Sequence, residues 1–473
     1  MVIGKEPLPP YFNIDPATAA EKLSEPIDTA RFAKAAAFAG KGRDDLARRG
    51  YAPDGKKRLR MFSTWEICKY LIPVAAAHFR RVLKKYPDLP QGIGEGNSKW
   101  FTLDEVLQLR RHFDSEGASG RDYMPWRPKG LPAKVVAVSN FKGGTSKTTT
   151  TAHLAMSAAL DGYKVLVIDL DSQGSLTSIM GGEVEDEWST AFPLLAKDYA
   201  LALEGENSVR AASDLPPLPF DETLTEALKV SARNLIQGTH WPNIDLIGAQ
   251  LNLYWAEFQV PVWRMGLRSW PLWDALYNAL TNEKVVDDYD VIFIDTPPAL
   301  GYLTINALTA ADILLVPLGA SFLEFDSTGR FFDMLYSTFA SIEEGENAAR
   351  RRDGLPEMKF EWDAVRAIIT RFDANQQTDL ANVVQAYFGD FMTTFRQDMT
   401  AMVGQAGEQV NGIYEADYRE FNRETYVRGR ETFDRTWAEV KEIILGTWWR
   451  DLQELEQELS GQDPKATETR SDG

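Results

Sequence analysis

One cysteine, Cys68, stands among 473 residues. That excludes a disulfide framework, a multi-cysteine zinc site and an all-cysteine iron–sulfur site within one chain, and it fits a reducing compartment. The four histidines, His78, His112, His153 and His240, show no metal-ligand spacing. No run reaches the roughly 18 apolar residues of a membrane span, and the start MVIGKEPLPPYF lacks the basic-then-apolar order of a signal peptide. A soluble chain is expected. Glycine and proline, 34 and 24 residues, are too few and too scattered for a collagenous protein, and there is no internal repeat. Positive charge is also short: the net charge is −18, which argues against nonspecific attraction of nucleic acid by the surface as a whole.

What is present is ordinary globular material, 44% hydrophobic and 25% charged, long enough for two or three domains. Residues 1–55 read as a helical arm; the Ala-rich stretches Ala17–Leu23 and Arg31–Gly40 carry few apolar anchors and need a partner surface. Residues 56–114 reverse the global charge. Between 56 and 85 there are nine basic residues against Glu66 alone. Ser63-Thr-Trp-Glu66 and Thr102-Leu-Asp-Glu105 have capping-box spacing, so each predicts a helix start. Pro73 is expected to open a second helix, with Val74, Ala77, Val82 and Leu83 inward and Arg80, Arg81, Lys84 and Lys85 outward. The Gly-rich stretch 90–100 predicts a hairpin with Lys99 near its tip. Two short helices, a hairpin and a helix resemble the MerR-like winged helix-turn-helix, whose basic helix can enter a DNA groove while the wing grips the backbone. Residues 115–133, broken by Gly and Pro, read as a linker.

From Lys134 the pattern changes. Short apolar runs at 135–138, 165–169, 291–294, 313–316 and 367–369 alternate with helical stretches. That implies an α/β fold with a mainly parallel sheet covered on both faces. Gly181–His240 reads as an insertion of helices and loops. Trp263, Trp270 and Trp273 with Tyr254 and Phe258 read as core or as an interface. Glu343–Glu346 with Arg350–Arg352 reads as a solvated charged loop. Glu431–Leu459 is helical by pattern, with Phe433, Trp437, Val440, Ile444 and Trp448 on one face. Residues 451–473 read as an acidic, partly disordered tail, which leaves 134–450 as the main domain.

The segment that carries chemistry is Lys142-Gly-Gly-Thr-Ser-Lys-Thr148, between the first strand and an Ala-rich helix. Amides of a Gly-rich loop can surround phosphate oxygens where no side chain blocks them. Gly143 and Gly144 meet that need, with Thr145, Ser146 and Thr149 beside them. Lys147 supplies a cation for the β/γ-phosphates and Thr148 a hydroxyl for Mg²⁺. The strict P-loop pattern fails here: Phe141 and Ser146 occupy its two glycine positions.

KGGxxK[ST] resembles the deviant Walker A motif of the ParA/MinD class of P-loop ATPases, with Lys142 at the class's signature lysine. Val165–Asp169 followed by Asp171 resembles its second motif and Ile294-Asp295-Thr-Pro-Pro298 its Walker B segment. With the winged helix, the chain resembles the larger RepA-type plasmid partition proteins. The resemblance implies ATP and Mg²⁺ as cofactors, catalytic roles for Lys142, Lys147 and Asp171, and metal contacts through Thr148, Asp169 and Asp295. It places Arg371-Phe-Asp373 near the adenine. It further implies a homodimer closed by ATP, nonspecific DNA binding by that dimer, operator binding through the winged helix (Arg80, Arg81, Lys84, Lys85 and Lys99), and a ParB-like centromere-binding partner that stimulates hydrolysis. The expected setting is the bacterial cytoplasm, at the nucleoid. A transcriptional regulator modulated by ATP and a MinD-like positioning ATPase are the alternatives. The second needs a basic amphipathic C-terminal helix, whereas Asp451, Glu454, Glu456 and Glu458 are acidic. An iron–sulfur reductase of the nitrogenase iron-protein type needs cysteines that the chain lacks.

Overall fold

The computed structural model describes residues 57–95, 98–116, 123–408 and 410–461, with scattered positions between 33 and 41. The rest of the arm expected at 1–55, and the tail beyond 461, lie outside the described residues. The chain divides into two units between Arg58 and Leu59; the second carries the features described here.

Among the described residues, nine strands form two sheets. β1 (Phe62–Ser63) and β2 (Trp100–Phe101) pair antiparallel, Phe62 opposite Phe101. The main sheet holds β3 (Lys134–Val138), β4 (Val165–Asp169), β5 (Gln237–Gly238), β6 (Ile244–Ile247), β7 (Val291–Asp295), β8 (Ile313–Gly319) and β9 (Ala364–Thr370). Its order is β5-β6-β4-β7-β3-β8-β9. All neighbours are parallel except the short edge strand β5. This is the helix-flanked parallel sheet that the apolar runs imply.

The side chains explain why the strands are apolar throughout. Val135 and Ala137, Leu166 and Ile168, and Ile292 and Ile294 enter one core; Val136 and Val138, Val165 and Val167, and Val291 and Phe293 enter the other. Successive strand residues point to opposite faces, and both faces are covered. Trp263, Trp270 and Trp273 are buried in the first core, whereas Tyr254 and Phe258 are exposed.

Helices α1 (Thr64–Glu66, continued by a π turn to Leu71), α2 (Ala76–Lys85) and α3 (Leu103–Ser115) make up the amino-terminal module. Both capping boxes close as spaced. Pro73 does not open α2, because Ala75 is its N-cap; the buried residues are Phe79, Val82 and Leu83, and Ala77 is exposed. Phe79 stacks on Phe113 and meets Phe101 edge-on, a larger apolar anchor than Ala77 could be. After the undescribed 117–122, the linker has no regular structure yet is clamped. Asp114 accepts the amides of Tyr123 and Met124, and the Arg127 guanidinium donates to the Leu131 and Tyr289 carbonyls.

Four longer helices complete the frame: α4 (Lys147–Leu160), α5 (Phe192–Ala212), α6 (Ala256–Gly266) and α7 (Tyr302–Ala310). Then come α8 (Phe322–Arg352), α9 (Ala374–Phe388) and α10 (Arg423–Gly461). Glu343–Arg352 is not a loop but the last turns of α8; three arginines at that end suit the helix dipole. The boundary expected at 450 falls inside α10. There Asp451 and Asp363 each bind the Lys134 ammonium at 2.7 Å, which holds the acidic segment against the base of β3.

The amino-terminal module is fastened to α4 and α10. Arg110 of α3 donates to Asp161 (3.0 Å) and to the Leu160 carbonyl (3.3 Å), and Asp161 also accepts from Lys441 (2.6 Å) and Trp437 (3.2 Å). Burial opposes the Asp161 charge, but Lys441 and Arg110 outweigh it and hold the carboxyl below its usual range. Glu66, fully buried, takes hydrogen bonds from Arg60, Ser63 and Tyr426 of α10.

Candidate nucleotide site

The loop between β3 and α4 sits where three strand ends meet. β7 lies between β4 and β3, so Asp169 stands in register with Asp295, and Val138 with Asp295 on the other side. The three motifs, far apart in sequence, converge for that reason, at the carboxyl edge of an open parallel sheet.

The loop backbone is shaped before any side chain acts. Gly144 has φ 76° and Ser146 has φ 69°, both left-handed. A Cβ placed on Gly143 or Gly144 would meet open space, so no other part of the protein crowds the loop there. Position 146 is where the strict pattern has its second glycine, and the left-handed φ is the reason; serine there costs about 1–2 kcal/mol. Asn140 accepts the Lys142 amide (3.1 Å) and donates to the Pro317 carbonyl (2.8 Å). Thr370 at the end of β9 donates to the Thr145 carbonyl (3.1 Å). Neither brace was singled out from the sequence; their partners lie on distant strands.

Lys147 begins α4 and is buried, with its ammonium donating to the Lys142 carbonyl at 3.3 Å. Burial lowers its pKa against the pull of Asp295 and Asp171. The Thr148 hydroxyl donates to Asp295 at 2.6 Å, and Thr151 donates to the other Asp295 oxygen at 3.3 Å. Asp169 accepts from the Thr177 amide (2.9 Å), the Thr177 hydroxyl (2.8 Å) and the Asp171 amide (3.1 Å), so both its oxygens are engaged by the protein. Asp171 is half-buried and caps Gln173. Lys142 is half-buried and Thr149 lies in the first turn of α4, its carbonyl bonded to the buried His153 (2.6 Å).

Burial pushes Asp169 up to about 7 despite its hydrogen bonds. Burial, then the neighbouring Asp169 charge, lifts Asp295 well above the carboxylate range. Two buried carboxylates in register, a hydroxyl between helix and strand, and a buried ammonium under a concavity of amides form the donor set that a divalent cation with polyphosphate requires. The residues therefore fit Mg²⁺ and a nucleoside triphosphate.

A family model described as an AAA domain matches residues 133–347. A replication protein A of Rhizobium rhizogenes is 31% identical over 410 residues, covering 85% of this chain and 90% of the relative. The chain belongs to the ParA family of P-loop ATPases. Protein SopA of Escherichia coli strain K12 is 30% identical over 243 residues, 51% of this chain and 54% of SopA. A solved partition protein has the same fold, with TM-score 0.53 at 17% identity, covering 87% of this chain and 98% of that one. As a family member the chain is an ATPase. No helix among the described residues is long and apolar enough to cross a membrane.

The residues proposed for DNA are unequally free. Arg80, Arg81 and Lys84 are exposed on α2. Lys85 is drawn to Tyr86 (2.6 Å) and Glu116 (3.8 Å), and Lys99 donates to the Gln91 carbonyl at 2.8 Å. Phe372, from the segment that the resemblance places near adenine, lines a cavity of about 450 Å³ with Arg396, Asp398 and Arg428.

Proposed function

We propose that this ATPase is a DNA-partition switch of the bacterial cytoplasm, acting at the nucleoid. Its ATP-bound form is a dimer that binds DNA, and a ParB-like partner stimulates hydrolysis. The observation that carries the reading is the single helix α4. Its first residues, Lys147 and Thr148, meet the phosphate loop and Asp295, and its last turn is bonded to the amino-terminal module through Arg110. Mg·ATP, when bound, supplies the phosphoanhydride and the charge that the loop is built to receive. Lys147 and the loop amides orient the phosphates, Thr148 and Asp295 hold the cation with Asp169 behind them, and Asp171 positions the attacking water. Catalysis of this kind is chiefly positioning and charge stabilisation. Lys142 supplies a cation to the partner's nucleotide.

Dimer closure is supported by apolar side chains exposed at the carboxyl edge of the sheet. Phe322 and Leu323 follow β8; Trp255 caps α6 and Phe258 lies in its first turn beside Glu257, which accepts the Tyr302 and Leu303 amides. Exposed apolar side chains gathered at one edge are the material of association surfaces. The amino-terminal module is read as a winged helix that binds operator DNA and represses its own operon, with Arg80, Arg81 and Lys84 as its main phosphate contacts and Lys85 and Lys99 contributing less. The rigid attachment of that module also favours a second reading, a transcriptional regulator whose ATPase serves repression alone.

Size-exclusion chromatography and DNA binding with MgATP, MgADP or no nucleotide, on wild type and Lys142→Ala, test the reading. ATP is expected to increase both apparent size and DNA affinity in the wild type only. If ATP changes neither, the switch is refuted.

A further inference from the structure

Ser321-Phe-Leu-Glu324 has the same capping-box spacing as the starts of α1 and α3. In those helices the glutamate, Glu66 or Glu105, reaches back to the N-cap amide and closes the box. At α8 the Ser321 side chain accepts the Glu324 amide, but the Glu324 carboxylate turns away. One oxygen lies 2.9 Å from Arg371 and 3.9 Å from the Lys142 ammonium; the other accepts the Gly319 amide. The site of this departure is the mouth of the phosphate loop. A local rule obeyed twice and broken beside the chemistry marks a residue held for another purpose.

The carboxylate is nearly buried, whereas the Lys142 side chain is 35% exposed and Arg371 50% exposed. The anion is therefore the fixed partner and the two cations are the movable ones. Arg371 reaches it from a left-handed backbone, φ 51°, a conformation few side-chain-bearing residues adopt. Gly319 leaves room for it: a Cβ at 319 would stand 2.6 Å from the Glu324 Cδ. The Lys142 backbone is already tied, its amide to Asn140 and its carbonyl to Thr145 and Lys147, so its side chain alone can change partners.

We propose that Glu324 is a positioning residue that holds Lys142 on the protein's own carboxylate until polyphosphate displaces it. Incoming phosphate oxygens and Glu324 compete for one ammonium. The competition restrains Lys142 in the nucleotide-free chain and releases it when the triphosphate arrives. The inference rests on reading Lys142 as a phosphate-facing cation. A partly exposed ion pair is weak, so the effect expected is a modest change in affinity rather than loss of binding.

Fluorescence titration of the purified full chain with Mg²⁺ and N-methylanthraniloyl-ATP tests this. Glu324→Gln should bind about twofold to fivefold more tightly than wild type. Gly319→Ala, which keeps the charge but crowds the carboxylate off its seat, should shift affinity the same way and serves if Glu324→Gln misfolds. In a Lys142→Ala background, Glu324→Gln should bring no gain, a dependence that general loosening of α8 would not produce. Unchanged or weaker binding by Glu324→Gln, or a gain that survives Lys142→Ala, overturns the proposal and leaves the dimer switch standing on its own test. Wild type that binds no nucleotide overturns both.

Discussion

At the Lys147 end of α4, charged groups face one another without being matched; at the Leu160 end, cation and carboxylate are paired. The Lys147 ammonium meets a peptide carbonyl, and burial opposes ionisation of both Asp169 and Asp295. At the other end Asp161 is shared by Arg110, Lys441 and Trp437. The first arrangement waits for a ligand that brings charge of both signs. The second is complete within the protein and transmits position rather than binding anything. The difference teaches that burial of charge is not in itself a sign of a working site; what matters is whether the protein supplies the counter-charge.

The largest expected break is at the loop. Lys147→Ala should lower hydrolysis on the order of 10²–10³-fold, as removal of a preorganised charge donor does. Its thermal midpoint should stay near wild type, because burial already works against that charge. Phosphate release and thermal melting check the two halves; turnover within a factor of about ten of wild type would contradict the role given to Lys147.

The far end should respond in the opposite sense. Asp161→Ala leaves the Arg110 guanidinium, 6% exposed, without its carboxylate. Breaking a buried pair from one side costs about 3–5 kcal/mol. Urea denaturation should show that loss, while the nucleotide affinity of the folded fraction is retained. A stability equal to wild type would mean that Arg110 does not fasten the module.

His153, midway along α4, sharpens the contrast through pH. Its ring shares a hydrogen bond with the Thr149 carbonyl (2.6 Å), accepts the Ile413 amide (3.0 Å) and stacks on Phe433. Burial lowers its pKa from 6.5 to about 4. Between those values the unfolded chain takes up a proton that the folded chain refuses. The contribution is therefore present above pH 6.5 and is lost as pH falls towards 4, on the order of 3 kcal/mol in all. Urea midpoints of wild type and His153→Gln at several pH values should converge across that window. Parallel curves would show that the imidazole titrates normally in the fold.

Local physics was readable in the chain itself. Apolar runs with turn residues at their ends gave away β3, β4, β7, β8 and β9, though not β5 and β6, since both faces of a parallel sheet are dry. Ser63-x-x-Glu66 and Thr102-x-x-Glu105 marked helix starts, because a cap needs only residues within one turn. The glycines, lysines and threonines of 142–148 pointed to a phosphate loop for the same reason: the amides that do the work are consecutive. Only the tertiary structure could decide that β7 lies between β3 and β4, which brings Asp295 beside Asp169 and Thr148. It alone could send Glu324 out of its capping box towards Lys142, and join Arg110 to the far end of α4. Those choices depend on which distant segments the sheet order and core packing set side by side, and a cation or carboxylate in a linear sequence does not name the partner that burial will force upon it.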